Sequence, residues 1–299
     1  MTFLYIDRFS LKQTYFNVDS THPKQSSGFI SGKTGLGGEL AILTEAIDRG
    51  VPAVLCDLTN VIRYGDICLL GGKDPVLLEV KSSHTRDGRS KRQMKKIQKL
   101  KNFLATDSAM DFRGLAGTTL RATLSSSPRA FNDLIQHAVG EAMTGGSSRF
   151  EIDGCLTFFV IAEGGPNYDA LFRGMTGRQY IMFSVNDLRS SMNWGCYYPF
   201  SLTFPSTNHF SSFVKGEFVI MAFLNPDAFQ ERLSSKEVSL RIESAEHSIK
   251  CWMEFESQDD VGQFAIGGHM LNRMWTDFLY PSWIVKNAVD IISDSLTNK

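Results

Sequence analysis

The chain has 299 residues, of which 42% are hydrophobic and 21% charged, so it can build an apolar core and is not disordered by composition. Its 31 lysine and arginine residues stand against 32 acids, and the net charge of −1 excludes a protein whose whole surface is basic. A net charge near zero is still compatible with a local cluster of basic residues that binds nucleic acid. The length fits about two average domains.

Segments typical of export or of membrane insertion are not recognised. The N-terminus carries no basic leader before an apolar stretch, and no apolar run approaches the roughly 18 residues of a transmembrane helix. The five cysteines are widely spread without a CxxC pair, which argues against a disulfide framework or a thiolate zinc site. We therefore expect a cytoplasmic protein that does not associate with membranes.

The first half of the chain alternates between helical and extended patterns. Apolar residues recur at helical spacing over Leu36–Asp48, and Gly50 closes that segment. Three extended stretches follow, with a glycine-rich turn at residues 71–74 that favours a hairpin between the last two. The predicted strands cover residues 53–57, 61–70 and 75–81, and predicted helices cover 90–104 and 130–143, with a loop over 106–128 between the helices.

Beyond residue 146 the pattern becomes rich in strands. Strands are predicted at residues 156–162, 179–185, 200–204, 217–224, 238–242 and 250–255, and helices near 260–278 and 283–296. Helix, three strands, helix and strand over the first 165 residues indicate an α/β fold. The later strands either extend that sheet or form a separate module, and the sequence leaves both possibilities open.

The third predicted strand carries an acid and a lysine two residues apart, Glu79 and Lys81. Because side chains alternate along a strand, Glu79 and Lys81 face the same side, and burying such a pair requires a metal, a partner or solvent access. The hairpin would bring Asp66 beside Glu79. Together with the carbonyl of Val80, the two carboxylates form a pocket suited to Mg²⁺ or Mn²⁺, where Lys81 could orient a water. The alternative is a simple Glu79–Lys81 salt bridge on an edge strand.

The arrangement of Asp66, Glu79-Val80-Lys81 and Glu39 resembles the PD-(D/E)XK nuclease superfamily. The likeness covers about residues 36–165 through short motifs. It implies a restriction-endonuclease-like core, a mixed sheet flanked by helices, with a β-rich C-terminal extension. We divide the chain accordingly into a nuclease core at residues 1–170 and an accessory region at 171–299.

The resemblance also implies roles for the individual residues. Asp66, Glu79 and the carbonyl of Val80 would hold Mg²⁺, Lys81 would position the nucleophilic water, and Glu39 would contact the metal directly or through water. Glu45 is the second candidate for the helix acid. One departure from the family pattern is Gly65, which stands where the family has proline.

A basic helix follows the motif. Residues 81–101 contain nine of the 31 basic residues and only one acid, Asp87. Gln93 lies one turn before Ile97 on the apolar face and would point toward the metal site, where related nucleases often place a glutamine. The outward cations would bind a phosphate backbone, whereas the alternative is an ordinary solvated helix face. The residues predicted to contact nucleic acid are Arg86, Arg89, Lys91, Arg92, Lys95, Lys96 and Lys99.

Gly32-Lys33-Thr34 has the ending of a phosphate-binding P-loop but not its glycine spacing, and no apolar strand precedes it. We therefore reject that interpretation. The glycines at 35, 37 and 38 are expected to start the first helix and to let a substrate backbone approach Glu39.

The candidate site and the basic helix predict a Mg²⁺-dependent deoxyribonuclease, with Mn²⁺ as a substitute, and the resemblance implies a role in defence against foreign DNA or in DNA processing. The alternatives are a catalytically silent DNA-binding or scaffold subunit with the same fold, and a nuclease directed at RNA. The C-terminal half would select substrate, mediate self-association or bind a partner subunit.

Overall fold

The computed structural model describes residue 5 and residues 30–59, 62, 64–80, 88–112, 116–121, 124–164, 166, 168–175, 179–187, 203–204, 206–245, 248–256 and 261–297. These residues form two compact units, unit 1 up to residue 121 and unit 2 from residue 124 onward. The division falls well before residue 170, where the sequence places it. Lys81, Arg86 and the side chain of Arg89 lie outside the described part of the chain.

Unit 1 follows the predicted order of helix, three strands, helix and strand. Its elements are α1 (Leu36–Asp48), β1 (Ala53–Leu55), β2 (Ile67–Leu69), β3 (Val76–Leu78), α2 (Gly88–Thr106), β4 (Ser108–Met110) and β5 (Thr118–Leu120). The first three strands form one sheet in the order β1-β2-β3, and β4 pairs with β5 in a separate hairpin. The predicted loop at 106–128 therefore contains a hairpin.

The three-stranded sheet lies between the two helices of unit 1 because each of its faces is apolar. On one face, Leu77 and Cys68 pack with the buried stripe of α2, which consists of Ile97, Leu100, Phe103 and Leu104. On the other face, Ile67 and Leu78 pack with Leu36, Ile42, Leu43 and Ala46 of α1. The alternation along β2 and β3 thus assigns successive side chains to opposite helices.

The mixed sheet predicted from the sequence is not found among the described residues, where every strand pairing is antiparallel. Helix α2 is long enough to return the chain for a parallel pairing beside the first sheet. Strand β4 pairs instead with β5, because the short connection after Met110 brings the next strand back antiparallel. The α/β class is confirmed, and the sheet arrangement differs from the prediction.

The described residues of unit 2 form two antiparallel sheets, with strand orders β6-β7-β9-β8 and β10-β11-β12. Its strands are β6 (Ser147–Ile152), β7 (Leu156–Ala162), β8 (Ile181–Ser184), β9 (Phe218–Leu224), β10 (Val238–Ala245), β11 (Ser248–Glu256) and β12 (Val261–Ile266). Its helices are α3 (Asn132–Gly145), α4 (Tyr168–Leu171), α5 (Thr207–Lys215), α6 (Pro226–Leu233), α7 (Gly268–Leu271), α8 (Arg273–Thr276) and α9 (Pro281–Thr297).

Helix α3 packs against β6 and β7 through four buried residues, Ile135, Ala138, Val139 and Ala142. A cluster of phenylalanines, including Phe131, Phe158 and Phe278, packs together in the same unit. The many phenylalanines of the chain therefore serve as core in this region. None of the described helices has the length and apolar character needed to cross a membrane.

Candidate functional site

Acidic residues gather at one edge of the first sheet because of its antiparallel order. The register pairs Leu55 with Ile67 and Ile67 with Leu78, so the end of β1, the start of β2 and the end of β3 lie side by side. Asp57 follows β1 in a short 3₁₀ turn, Asp66 precedes β2, and Glu79 follows β3. The last paired residues are Ile67 and Leu78, and the N–H of Asp66 bonds the carbonyl of Leu78, so the hairpin brings Asp66 to the end of β3.

Asp66 is held on both its backbone and its side chain. Its N–H donates to the carbonyl of Leu78 at 2.8 Å, and its carbonyl accepts from the N–H of Cys56 at 2.9 Å. Its Oδ2 accepts from the N–H of Val80 at 2.7 Å. The two backbone bonds hold Asp66 between the ends of β1 and β3, and the bond from Val80 holds Oδ2, so that Oδ1 can face other groups.

A turn with a positive φ at Gly65 precedes Asp66. The φ of Gly65 is +76°, and a Cβ at this position would lie 2.7 Å from the carbonyl oxygen of Leu78. That same carbonyl accepts the N–H of Asp66. Proline fixes φ near −65°, so it could not adopt this conformation. The glycine is thus required by the turn that delivers Asp66 to the sheet edge.

Glu39 lies in the first turn of α1, and its side chain is only 4% exposed. Its Oε1 is 2.8 Å from the ammonium of Lys33, which comes from the turn before the helix. The predicted alternative, Glu45, has a side chain that is 60% exposed and pairs with Arg49. The structure therefore places Glu39, and not Glu45, at the candidate site.

Three carboxylates converge on the ammonium of Lys33. Its Nζ lies 2.7 Å from Asp57 Oδ2 and 3.5 Å from Asp66 Oδ1, in addition to its contact with Glu39. Burial opposes the positive charge, but hydrogen bonds to Asp57 and Glu39 and the charge of Asp66 outweigh it and hold the pKa of Lys33 above its ordinary value. The cluster therefore places one ammonium among three acidic side chains.

A cleft of about 180 Å³ opens beside this cluster. It is lined by Lys33, Asp57, Tyr64, Gly65, Asp66, Gln93 and Ile97. The exposed Gln93 and the buried Ile97 both come from α2, one turn apart, as the apolar stripe predicts. The cleft therefore joins the acidic edge of the sheet to the basic helix.

Helix α2 has seven cationic residues and no acid. Lys91, Arg92 and Lys95 are exposed, whereas Lys96 and Lys99 are half-buried. The ammonium of Lys99 donates to the carbonyl of Asp111 at 3.1 Å. The outward cationic surface is thus centred on the first half of the helix, the half that also carries Gln93.

The structure brings together most of the described residues that the sequence predicts for the site. Glu39 and Asp66 share Lys33, and Gln93 and Asp66 line one cleft, whereas Glu79 has a buried Oε2 and is not among the residues that line the cleft. Among the described residues, no group of three or more histidine, cysteine or acidic side chains is arranged to hold a metal ion. The three carboxylates instead surround an ammonium.

Sequence reasoning missed Lys33 and Asp57. In the sequence, Lys33 belongs only to an incomplete P-loop pattern, and Asp57 belongs to no recognised motif. A signal for Asp57 exists, since an acid directly after the first strand of an antiparallel sheet lies at the edge where the second strand begins. No local pattern identifies Lys33, because its contacts span 24 residues to Asp57.

Comparison with models of protein families, with curated proteins and with solved structures finds no match for this chain.

Proposed function

We propose that this chain is a metal-dependent nuclease that hydrolyses phosphodiester bonds in DNA. The observation that carries the proposal is the convergence of Glu39, Asp57 and Asp66 on one positive charge, beside a cleft that the basic helix α2 borders. An acidic edge alone would repel a phosphate, so a bound cation and the cations of α2 are what would make the cleft a phosphate site.

Carboxylate oxygens are ligands that Mg²⁺ and Mn²⁺ prefer in proteins, so the acidic cluster would accept such an ion once the ammonium of Lys33 has left it. Asp66 and Glu39 would hold the ion, joined by Glu79 and the carbonyl of Val80, and Asp57 is a further candidate. A bound Mg²⁺ would polarise a phosphoryl oxygen and make a neighbouring water more acidic.

The protein's own groups would supply orientation. The bond from the Val80 N–H keeps Asp66 in place without a metal. The amide of Gln93 would donate a hydrogen bond to a phosphate oxygen in the cleft, and Lys81 would orient the attacking water. Exposed cations of α2 would hold the flanking phosphates.

Cleavage of supercoiled and linear DNA with Mg²⁺ or Mn²⁺ tests this proposal. Asp66→Asn should lower the cleavage rate about a hundredfold or more, because it weakens both the cation site and its anchoring. Asp48→Asn is a matched control, since Asp48 is exposed at the far end of α1. Unchanged cleavage in the Asp66 variant would exclude a role for this site.

The second candidate is a catalytically silent DNA-binding or scaffold subunit. It is favoured by the ammonium of Lys33, which already neutralises part of the acidic cluster without a metal. DNA binding that persists in chelator, without cleavage under any metal, would support this candidate. Labelled RNA and DNA compared side by side distinguish a ribonuclease from the proposed deoxyribonuclease.

The setting proposed for the nuclease is defence against foreign DNA, with unit 2 selecting substrate or binding a second subunit.

A further inference from the structure

Lys33 reaches the acidic cluster through a long and partly exposed side chain. Asp66 is fixed by backbone hydrogen bonds, and Glu39 is buried on the first turn of α1. Lys33 reaches them through a long side chain from the turn that contains Gly32, and this side chain is 27% exposed. The ammonium could therefore leave the cluster toward solvent, whereas the carboxylates of Glu39 and Asp66 are held.

The ammonium and a divalent cation would compete for the same oxygens. Oε1 of Glu39 and Oδ2 of Asp57 both lie within 2.8 Å of Nζ. A divalent cation binds such oxygens at about 2.0–2.2 Å, so it would take the space at the centre of the cluster. Two positive centres this close would also repel each other strongly in a partly buried cleft.

We propose that Lys33 occupies the cation position of the metal-free protein, and that a divalent cation binds by displacing its ammonium. This inference rests on the proposed metal-dependent function. Lys33 then lowers metal affinity while it stabilises the metal-free fold, and Asp57 passes from a partner of Lys33 to a metal ligand. The ammonium marks the place where this chain accommodates a cation.

Removal of the charge at residue 33 separates these two effects. Lys33→Met keeps the length and apolar stem of the side chain but leaves three carboxylates without their cation. In chelator its unfolding temperature should fall below that of the wild type. Its affinity for Mn²⁺ should rise about tenfold or more, because the ion no longer has to displace a bound charge. Lys33→Arg retains the charge and should not gain Mn²⁺ affinity.

The experiment is isothermal titration of the full chain with Mn²⁺ after removal of metals, together with thermal unfolding in chelator. Lys73→Met is the matched control, because Lys73 is exposed in the turn between β2 and β3. The control should match the wild type in both measurements. If Lys33→Met does not fold in chelator, its refolding on addition of Mn²⁺, followed by circular dichroism, replaces the titration.

Four outcomes decide the question. Tighter Mn²⁺ binding by Lys33→Met alone, or its refolding by Mn²⁺, supports the inference. Measurable but equal affinities in the wild type and Lys33→Met overturn it and leave the proposed nuclease function intact. Failure of both proteins to bind or respond to Mn²⁺ overturns the inference and the metal-dependent function together. Tighter binding without DNA cleavage in any variant supports the cation exchange and contradicts the nuclease.

Discussion

At the scale of single residues, the candidate site depends on a glycine as much as on its acids. Gly65 adopts a positive φ directly beside the carbonyl that receives the N–H of Asp66. Substitution here would act on Asp66 without removing any charged group. The position therefore links backbone conformation to the chemistry of the cleft.

Gly65→Ala should destabilise the protein by about 1–3 kcal/mol, since it combines a strained φ with a Cβ contact that forces backbone to move. Gly50→Ala is the matched control, because Gly50 has φ +74° but nothing within 4 Å of an added Cβ. Urea unfolding should show a clearly larger loss for Gly65→Ala. Equal losses would mean that the close approach to Leu78 has no energetic consequence.

At the scale of secondary structure, helix α2 presents two different faces. Its buried stripe of Ile97, Leu100 and Phe103 packs on the sheet, and its opposite face is cationic. Lys91, Arg92 and Lys95 are exposed beside the cleft residue Gln93. The packing of the helix thus directs positive charge toward the approach to the cleft.

Replacement of Lys91, Arg92 and Lys95 by glutamine should weaken DNA binding and make it less dependent on salt. If each side chain neutralises one phosphate, the slope of log affinity against log salt should become shallower by about 2–3. Fluorescence anisotropy at several salt concentrations measures this slope. The control replaces three other exposed lysines, Lys73, Lys236 and Lys250, and should leave the slope nearly unchanged.

Helix α9 is anchored by a carboxylate in unit 2. Asp290 Oδ2 accepts from Lys286 Nζ and from Ser125 Oγ, both at 2.7 Å. The hydrogen bond from Lys286, followed by that from Ser125, holds the pKa of Asp290 below its ordinary value. A lowered pKa in the folded state means that the carboxylate stabilises the fold at neutral pH.

Asp290→Asn should therefore destabilise the protein at pH 7 more than at strongly acidic pH. The stabilisation is present above the ordinary carboxyl pKa of about 3.9 and disappears as the pH falls through the lower folded value. Thermal unfolding at pH 7 and near pH 3 compares the variant with the wild type. A difference that grows on acidification would contradict the assigned direction.

At the scale of the whole molecule, the two units have cores made of different residues. Phe103 of unit 1 is fully buried and stacks on Phe112 with ring centroids 4.3 Å apart. Phe213 of unit 2 is fully buried between Phe204 and Phe218. Each core can therefore be perturbed by a substitution of the same type.

Phe103→Ala and Phe213→Ala should each cost about 3–5 kcal/mol of local stability, because both leave a cavity the size of an aromatic ring. Hydrogen exchange followed by mass spectrometry should show faster exchange over residues 88–112 in the first variant and over 207–224 in the second. Each variant is the control for the other. Faster exchange of both regions in both variants would contradict a division into two units.

Much of unit 1 could be predicted because its signals are local. The apolar spacing of α1 and α2 identifies both helices, and the glycine-rich turn at 71–74 sets the hairpin that brings Asp66 to the end of β3. Unit 2 was predicted less completely. The sequence pattern predicts a helix where the structure has strand β12. The extended form of β12 depends on pairing with β11, and the apolar spacing of its six residues does not reveal that pairing.

The sequence by itself determined the candidate acids Glu39, Asp66 and Glu79 and the basic character of α2, because side-chain alternation and helical spacing are properties of neighbouring residues. Only the tertiary structure decided that Asp57 joins these acids and that Lys33 lies among the carboxylates. Those contacts arise where a turn, a helix and the edges of two strands meet, and such a meeting point is fixed by long-range packing and by strand register.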